Sequence, residues 1–541
     1  MLERGDMGTT YRRVRIATLV TWGLAAVTCA RSSGSEMSSS GAKPSNGSPV
    51  VWVIDSLERV GQRDLPGPSR SATISAGRGE YEPFQIVIRA PPGGLTNAFV
   101  TASDLVGPAG HKIAASQLAL FRERYVRVAV SSRDPKKGNR PLGPGWYPDA
   151  LIPFVTPEGT NPFAVPFAVA PGSNQPIWLE VYVPRGSPAG MYAATITVSS
   201  DQGSTTVPLT LKVWNFDLPL TPSFKSCVGL GDNETYLDKK YEELLLSHRL
   251  APRVIRASDA QDLMGRFGLP VTGLRFWPSN HGCAMNGSPS VEALREAAAS
   301  YPAGLDLLVY SADEIQGFPC LFPTVKAWAR NIHQTKARSL VTVPPTRDLL
   351  DDGTGRSAVD IWVVLPKLFN PSDEAFRAAR RMGNEIWAYT ALVQDTYSPK
   401  WLIDFAPINY RIMPGFLSQS LDVTGLVYWS TALWKGDPWN DVDYVDSDGD
   451  HNQGEGLLIY PGRNVGVKGG VASMRLKWVR EGIEDYEYVQ LLKEAGRGDF
   501  ARQVARSVGA DWQHWTKDPA ALQEARRRLG EELDRVHRAG P

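Results

Sequence analysis

The chain has 541 residues, which is enough for two or three domains with sizeable cores. Lys and Arg number 58 and Asp and Glu number 57, so the formal net charge of +1 indicates neither a nucleic-acid-binding nor an anionic-membrane-binding surface. The 16 Trp and 18 Tyr residues suit the packing of sugar rings on aromatic side chains, although large protein cores also use Trp.

The first predicted element is an export signal. Several arginines precede an apolar run over residues 16–27, which is too short for an ordinary membrane-spanning helix. Cys29 follows this run, as does the lipidated cysteine of bacterial lipoproteins, and a lipid there would attach the protein to a membrane. We predict a signal peptide or lipoprotein signal over residues 1–29 and a flexible linker over residues 30–49. The protein is then expected in the bacterial cell envelope or outside the cell.

Residues 50–221 are predicted to form an antiparallel β-sandwich. Short segments in which apolar and polar residues alternate, such as 84–89, are separated by turns rich in Gly and Pro. That spacing of short strands is typical of two packed antiparallel sheets. A proline-marked segment at 215–222 ends this domain.

After residue 222 the pattern changes to alternating strands and helices, which predicts an α/β fold. Eight candidate strands lie at 224–230, 253–256, 271–276, 306–311, 340–343, 360–365, 385–392 and 425–429. Repeats of this kind over residues 222–495 fit a (β/α)8 barrel of the TIM type. A doubly wound sheet is the alternative, because the second strand is weak. Residues 496–541 are predicted to form C-terminal helices that pack on the barrel.

The fourth predicted strand ends in two adjacent carboxylates, Asp313 and Glu314. The carboxyl ends of parallel strands are where α/β barrels and open α/β sheets place their active sites. An acid catalyst beside a charge stabiliser is therefore one interpretation of the pair. The other is a helix cap or a surface turn, since Asp and Glu also favour helix starts.

Aromatic residues occur at several predicted strand ends and in the loops that follow them. If the barrel forms, they meet the acid pair at one rim, as in a sugar-binding pocket. Each residue taken alone is as consistent with core packing. The candidate substrate-binding aromatics are Tyr310, Tyr389, Tyr428, Trp429, Trp434 and Tyr460.

The sequence offers little for a metal or cofactor site. Its seven His residues are scattered without ligand spacing, and we predict no metal and no cofactor. The acid-rich segment 441–455 nearly matches an EF-hand loop, but Tyr444 stands where the first calcium ligand is expected, so a solvated loop is preferred. A Cys283–Cys320 disulfide stays an open alternative in an oxidising compartment.

Residues 473–492 read SMRLKWVREGIEDYEYVQLL. This segment resembles the closing motif of glycoside hydrolase family 123 and of the related domain of unknown function 4091. Residues 79–85, 425–429 and 456–462 are similar to further motifs of these proteins, so the resemblance covers about residues 50–495. It implies a β-sandwich, a (β/α)8 barrel and a retaining β-N-acetylgalactosaminidase activity on glycans.

The Asp-Glu pair of that family matches Asp313 and Glu314. The resemblance implies that Glu314 is the general acid and then the base, and that Asp313 stabilises the acetamido group of the substrate. Adjacent carboxylates fit this substrate-assisted scheme better than the usual one, in which two carboxyls lie on opposite sides of the sugar. Arg475 in the closing motif is a further substrate-binding candidate, although the charges around it also fit a structural ion-pair network.

Three functions are consistent with these patterns. The first is an exported glycoside hydrolase that removes β-linked N-acetylhexosamine, with N-acetylgalactosamine preferred, by substrate-assisted retaining catalysis. The second is a non-catalytic glycan-binding surface lipoprotein. The third is a two-carboxylate glycosidase that uses Asp395 or Asp437 as its second acid. In each case the partner is a glycan or glycoconjugate and no nucleic acid is involved.

Overall fold

The structure is a computed structural model that describes residues 47–231 and 235–539. The predicted export signal over residues 1–29, with Cys29, and most of the predicted linker over residues 30–49 lie outside these ranges. Among the helices of the described ranges, none combines the length and the apolar character that a membrane crossing requires.

The amino-terminal part of the described chain is β-rich and forms two main sheets. Its strands are β1 (Val50–Asp55), β2 (Ala72–Arg78), β3 (Tyr81–Arg89), β4 (Leu95–Ala102), β5 (Leu105–Val106), β6 (Lys112–Ile113), β7 (Leu118–Val128), β8 (Gly145–Pro153), β9 (Val155–Thr156), β10 (Gly159–Thr160), β11 (Phe167–Val169), β12 (Asn174–Tyr182), β13 (Gly190–Ser200) and β14 (Gly203–Asp217). One sheet has the order β1-β3-β12-β7-β8, and the other contains β11-β4-β13-β14-β2, with β5 paired to β13 and β6 paired to β5.

These two sheets share one apolar core, as expected for a sandwich. Ile86 and Ile177 of the first sheet belong to the same buried cluster as Ile196 and Leu209 of the second. Neighbouring strands are antiparallel except for β14 and β2, which run parallel. In the second sheet, β13 alternates buried residues with more exposed ones, as expected for one buried face. The central strands of the first sheet, β3 and β12, are buried on both faces.

The strands of the second part are β15 (Lys225–Val228), β16 (Val271–Gly273), β17 (Asn280–His281), β18 (Ala284–Met285), β19 (Asp306–Ala312), β20 (Ala337–Thr342), β21 (Ile361–Val364), β22 (Glu385–Tyr389), β23 (Gly425–Tyr428), β24 (Ile459–Pro461) and β25 (Gly470–Ala472). Within the described residues, seven of them form a parallel sheet in the order β15-β23-β22-β21-β20-β19-β16. β17 pairs with β18, and β24 pairs with β25, in two small antiparallel hairpins.

The parallel sheet curls into a barrel that the short segment 251–253 nearly closes. The amide of Val228 in β15 donates to the carbonyl of Ala251 at 3.0 Å. The amide of Arg253 donates to the carbonyl of Val228 in β15 at 2.7 Å, and the carbonyl of Arg253 accepts from the amide of Gly273 in β16 at 2.8 Å. The strand predicted at 253–256 does not form; in the fully described segment 251–256 the only bridge joins Pro252 to Val228, and helix α2 begins at Ala257. The prediction of eight full strands is therefore wrong at this position, and the barrel is near-closed.

Helices surround the barrel and complete the chain. They are α1 (Lys239–Ser247), α2 (Ala257–Phe267), α3 (Val291–Ala299), α4 (Phe322–Ile332), α5 (Glu374–Arg381), α6 (Ile408–Ile412), α7 (Ser418–Ser420), α8 (Met474–Glu494), α9 (Gly498–Val508) and α10 (Pro519–Ala539). A π-helical segment, Met413–Leu417, joins α6 to α7. The fully described segment 343–360 between β20 and β21 contains only a short 3₁₀ turn, Arg347–Leu349, so the strand–helix repeat is incomplete there.

Helix α8 contains the closing motif and joins the barrel to the sandwich through buried ion pairs. Lys477 and Arg480 of α8 donate to the two carboxylate oxygens of Glu180 in β12, at 2.7 and 2.8 Å. Burial alone would raise the pKa of Glu180, but Arg480 and Lys477 outweigh it, and the pKa lies well below its ordinary value. The charges of the motif therefore form the structural ion-pair network that was one of its two interpretations.

Candidate active site

Asp313 and Glu314 lie at the carboxyl end of β19, on the rim of the barrel. The strand before them is buried and apolar at Leu307, Leu308 and Val309, whereas both carboxylates are exposed. Glu314 adopts the left-handed conformation, with φ 49° and ψ 45°. A non-glycine residue there costs of order 1–3 kcal/mol, and such strain is concentrated at functional sites. The sharp turn ends the alternation of the strand and lets both acids line one cavity.

Two side chains contact Asp313, and Thr342 holds one of them. The hydroxyl of Tyr310 donates to Asp313 Oδ1 at 2.6 Å and also bonds to Thr342 Oγ1. The side-chain amide of Asn280 donates to the Asp313 carbonyl at 2.9 Å. Burial, and then the charge of Asp313, raise the pKa of Tyr310 well above its ordinary value, so its hydroxyl stays protonated and remains a donor.

Glu314 has one aromatic partner across the cavity. Tyr389, the last residue of β22, donates its hydroxyl hydrogen to Glu314 Oε1. Burial, and then this hydrogen bond to Glu314, raise the pKa of Tyr389 above its ordinary value. Two neutral tyrosines therefore orient the two adjacent carboxyl groups, one tyrosine for each acid.

The acid pair opens into a cavity of about 430 Å³ at the carboxyl end of the barrel strands. Within the described parts of the chain, Asp313 and Glu314 are the only carboxylates that line it. Arg253 contributes a guanidinium group that donates to the carbonyl of Trp429 at 2.9 Å. The lining residues are Leu230, Gly231, Arg253, Tyr310, Asp313, Glu314, Thr342, Tyr389, Ala391, Leu392, Val427, Trp429, Ser430, Leu433 and Tyr444.

A buried acid behind the cavity holds part of its wall. Glu455 is 2% exposed, and its carboxylate accepts from the indole Nε1 of Trp429 at 2.6 Å and from the amide of Leu392 at 2.9 Å. Leu392 itself has a positive φ of 53°. Burial raises the pKa of Glu455 to about 7. This residue fixes two lining residues without reaching the cavity itself.

The structure does not bring every predicted aromatic to the cavity. Tyr428 is fully buried, with its ring 5.1 Å from that of Trp401, and its hydroxyl accepts from the amide of Gly456. Trp434 donates to the carbonyl of Ile459 at 2.9 Å and packs against the core. Tyr428 and Trp434 are therefore core residues, in line with the core-packing alternative, whereas Tyr310, Tyr389 and Trp429 line the cavity.

Tyr460 and Arg475 are also remote from the cavity. Both are fully buried and both bind Asp149 of β8, the tyrosine through its hydroxyl at 2.6 Å and the arginine through two nitrogens at 2.8 Å each. The sequence predicted that both residues contact substrate. In the structure they instead connect the barrel region to the sandwich through Asp149. Buried charges of this kind need such partners, which is the physical reason for their position.

The remaining acids have structural partners. Asp395 accepts from Lys400 Nζ at 2.9 Å, and Asp437 accepts from the amide of Trp439 at 3.1 Å; neither lines the cavity. In the acidic loop, Asp446 Oδ1 accepts from the amides of Asp448 and Asp450 at 3.0 Å.

Across the described ranges no group of three or more His, Cys, Asp and Glu side chains is arranged to hold a metal ion. Cys283 and Cys320 form a disulfide.

Sequence reasoning missed Arg253, Thr342 and Tyr444 as lining residues, and Glu455 as the acid that holds Trp429 and Leu392. Arg253 had no distinctive signal, because the predicted strand at 253–256 also contains Arg256 and nothing in the sequence separates the two arginines. Glu455 and Tyr444 lie in the acidic segment 441–455, which the sequence predicts as a solvated loop without assigning either residue a role at the cavity. Their actual roles depend on the path of that loop over Trp429, whose ring centroid lies 5.9 Å from that of Tyr444.

Solved structures include a similar molecule from Clostridium perfringens, a family 123 glycoside hydrolase described in terms of glycolipid glycan hydrolysis. It is 13% identical, with a TM-score of 0.65, and the match covers 91% of this chain and 99% of that one, which establishes a shared fold. A β-glucuronidase from Parabacteroides merdae is 9% identical over 75% of this chain and 50% of that one, and its TM-score of 0.26 carries no argument. No curated protein matches the chain.

Two sequence models of one family match the chain. The glycoside hydrolase 123 N-terminal domain matches residues 62–200, and the glycoside hydrolase 123 catalytic domain matches residues 346–492. The second match begins after the acid pair, so the geometry of the cavity is what links Asp313 and Glu314 to the site. Together the two matches cover more than half of the chain. The chain therefore belongs to glycoside hydrolase family 123 and is a glycoside hydrolase that acts on glycans.

Proposed function

We propose that this glycoside hydrolase removes β-linked N-acetylhexosamine, with N-acetylgalactosamine the preferred sugar, by substrate-assisted catalysis with retention. The observation that carries the proposal is the pairing of Asp313 and Glu314 as neighbouring carboxylates, with no other lining carboxylate among the described residues. A two-carboxylate mechanism needs a second acid on the opposite face of the sugar. The substrate's own acetamido oxygen supplies the nucleophile instead.

In the first step the acetamido oxygen attacks C1 of the sugar. The bond from C1 to the leaving oxygen breaks, its electron pair goes to that oxygen, and the proton of the Glu314 carboxyl is transferred to it. Asp313 accepts a hydrogen bond from the acetamido N–H and stabilises the positive charge of the oxazolinium ring. The hydroxyl of Tyr310, 2.6 Å from Asp313 Oδ1, keeps that carboxylate in position.

In the second step Glu314, now a carboxylate, takes a proton from water. The water oxygen bonds to C1, the bond between C1 and the acetamido oxygen breaks, and the acetamido group is regenerated. Two displacements at C1 give overall retention of configuration. The aromatic walls formed by Tyr389 and Trp429 support sugar binding, since pyranose rings pack on aromatic faces.

Export is part of the proposal. The signal predicted over residues 1–29 and the lipid predicted on Cys29 favour a cell-envelope or secreted enzyme. The Cys283–Cys320 disulfide supports this location, because disulfides persist in oxidising compartments and are rare in the cytosol. The similarity to the Clostridium perfringens enzyme, described for glycolipid glycans, supports a glycoconjugate as the source of the sugar.

The decisive experiment compares an aryl β-N-acetylgalactosaminide with its 2-hydroxy analogue, which lacks the internal nucleophile. We expect hydrolysis of the first and a loss of at least a thousandfold in kcat/KM for the second. Equal turnover of both would rule out substrate assistance. The product of the first turnover, followed by NMR, should be the β-anomer.

Two variants test the roles of the acids. Glu314→Gln should abolish hydrolysis of aryl glycosides, and added azide should restore turnover of a β-N-acetylgalactosaminyl fluoride, since fluoride leaves without a proton and azide needs no base. The azide product should have the β configuration. Asp313→Asn should lower kcat/KM for the aryl glycoside and for the glycosyl fluoride, because both substrates form the same oxazolinium ring. Full activity of Glu314→Gln on aryl glycosides would contradict its assignment as the acid.

A further inference from the structure

A second cavity of about 480 Å³ adjoins the first. Arg253, Tyr310, Asp313 and Glu314 line both cavities, so the two meet at the acid pair. The walls of the second cavity that are not shared come from residues 277–282 and from Phe318. Nothing in the reaction described above uses these walls.

The unshared walls present two exposed aromatic side chains. Trp277 is 37% exposed and Phe318 is 39% exposed, and both line the cavity, so both side chains offer apolar surface to a ligand there. The guanidinium carbon of Arg253 lies 5.5 Å from the ring centroid of Trp277, so a cation–π contact restrains the indole. Asn280 and His281 add hydrogen-bonding groups between the two rings along the chain. Exposed rings beside polar side chains are the surface on which a sugar packs.

This wall is fixed to the acid pair rather than free. Asn280, in the hairpin of β17 and β18, donates to the carbonyl of Asp313 and accepts from its amide. The disulfide connects Cys283, in the turn of that hairpin, to Cys320, two residues after Phe318. The two aromatic residues are therefore held by one covalent link, beside the acids that they flank.

We propose that the second cavity binds the sugar that leaves, with Trp277 and Phe318 as its packing surfaces and the Cys283–Cys320 disulfide holding them in register with Glu314. This inference rests on the proposed function, because Glu314 must protonate the oxygen that joins the N-acetylhexosamine to that sugar. With the N-acetylhexosamine between Tyr389 and Trp429, that oxygen lies at the acid pair. The next sugar then extends into the second cavity, and the preferred substrate is an oligosaccharide or glycoconjugate rather than a simple glycoside.

The test uses two donors with the same N-acetylgalactosamine and different leaving groups. One is β-N-acetylgalactosaminyl fluoride, whose leaving group cannot reach Trp277, and the other is a disaccharide with galactose as the leaving group. In Trp277→Ala and Phe318→Ala, kcat/KM for the disaccharide should fall at least tenfold while that for the fluoride stays within twofold of the wild-type value. In a double Cys283→Ser/Cys320→Ser variant, kcat/KM should again fall for the disaccharide and not for the fluoride, but by a smaller factor.

Trp146→Ala is the matched control, since Trp146 is 51% exposed in the sandwich and lies at neither cavity. Trp146→Ala should leave kcat/KM unchanged for both the disaccharide and the fluoride. Equal losses on both donors in Trp277→Ala, or no loss on either, would overturn the second-cavity assignment while leaving the proposed function intact. If the wild-type protein cleaves neither donor, the proposed function fails. In that case, binding of a galactose-terminated oligosaccharide is measured by isothermal titration calorimetry. Loss of this binding in Trp277→Ala supports the cavity, and unchanged binding overturns it.

Discussion

The hydroxyl of Tyr310 lies 2.6 Å from Asp313 Oδ1, although the two residues are neighbours on one strand end rather than on facing elements. The same hydroxyl bonds to Thr342 at the end of the next strand, β20. A carboxylate that must recognise one N–H of the substrate is thereby anchored to two strands of the barrel. Small displacements of such a group are costly because hydrogen-bonded catalytic geometry tolerates little error.

Tyr310→Phe should lower kcat/KM for an aryl β-N-acetylgalactosaminide by about ten- to a hundredfold, since a hydrogen bond to a charged group contributes about 1.5–3 kcal/mol. Tyr301→Phe is the matched control, because the Tyr301 hydroxyl donates to the carbonyl of Ile255 at 3.0 Å, outside the cavity. It removes a hydroxyl without touching Asp313. Equal kcat/KM values for the two variants would show that Tyr310 does not position the carboxylate.

Glu455→Ala should reduce kcat/KM by tenfold or more, because it leaves the Trp429 indole and the Leu392 amide without their acceptor. Glu242→Ala serves as the control, since Glu242 is a buried acid that lies outside the cavity. The measurement is kcat/KM at a temperature where both variants are folded by circular dichroism. Wild-type activity in Glu455→Ala would show that Glu455 does not support the wall of the cavity.

Glu123→Gln should flatten the dependence of stability on pH. Burial raises the pKa of Glu123 to about 8, and neither of its carboxyl oxygens has a hydrogen-bond partner among the described residues. Because the folded pKa is above the unfolded value, the stability contributed by this group is full below about pH 4.5 and lost as pH rises towards 8. One such group contributes a slope of about 1.4 kcal/mol per pH unit in that window.

Urea unfolding of the wild type and the variant at pH 5, 6, 7 and 8 checks this slope. The variant's free energy of unfolding should fall less steeply by about 1.4 kcal/mol per pH unit. Glu82, whose pKa burial also raises to about 8, adds a slope that both proteins share. Parallel curves for the two proteins would mean that Glu123 is ionised in the folded state at neutral pH.

Arg475→Ala should destabilise the protein by about 3–5 kcal/mol, because it leaves the buried carboxylate of Asp149 without its main partner. Asp149→Ala should cost a similar amount by leaving the arginine uncompensated. KM for an aryl glycoside should be unchanged in both variants below their unfolding temperatures. A raised KM in Arg475→Ala alone would instead restore Arg475 as a substrate-binding residue.

The acid pair was accessible from the sequence because its signal is local. An apolar strand followed by two acids identifies a strand end, and a parallel sheet places its strand ends on one rim. The β-rich amino-terminal region was equally accessible through short alternating segments. The eighth barrel strand was not, because only the segment 251–253, through Ala251 and Arg253, makes the ladder contacts that a whole strand was expected to make.

The aromatic residues show where sequence reasoning ran short. Along β23 and the residue after it, Val427 and Trp429 line the cavity while Tyr428 faces the core, as the alternation of side chains on a strand requires. Applying that alternation would have separated Trp429 from Tyr428. For Tyr460 and Arg475 no local pattern suffices, since their partner Asp149 lies more than three hundred positions away in the chain.

The buried pairs that join α8 to Glu180 and Asp149 have a consequence for modular exchange between relatives. A sandwich transplanted from another family member brings its own residues to face Lys477, Arg480 and Arg475, and each cation without a matching acid would be desolvated and uncompensated. Chimaeras should therefore be cut so that β8, β12 and α8 come from one parent. In this chain the two sandwich strands and the helix must be exchanged together, and neither the sandwich nor the barrel region can be replaced alone.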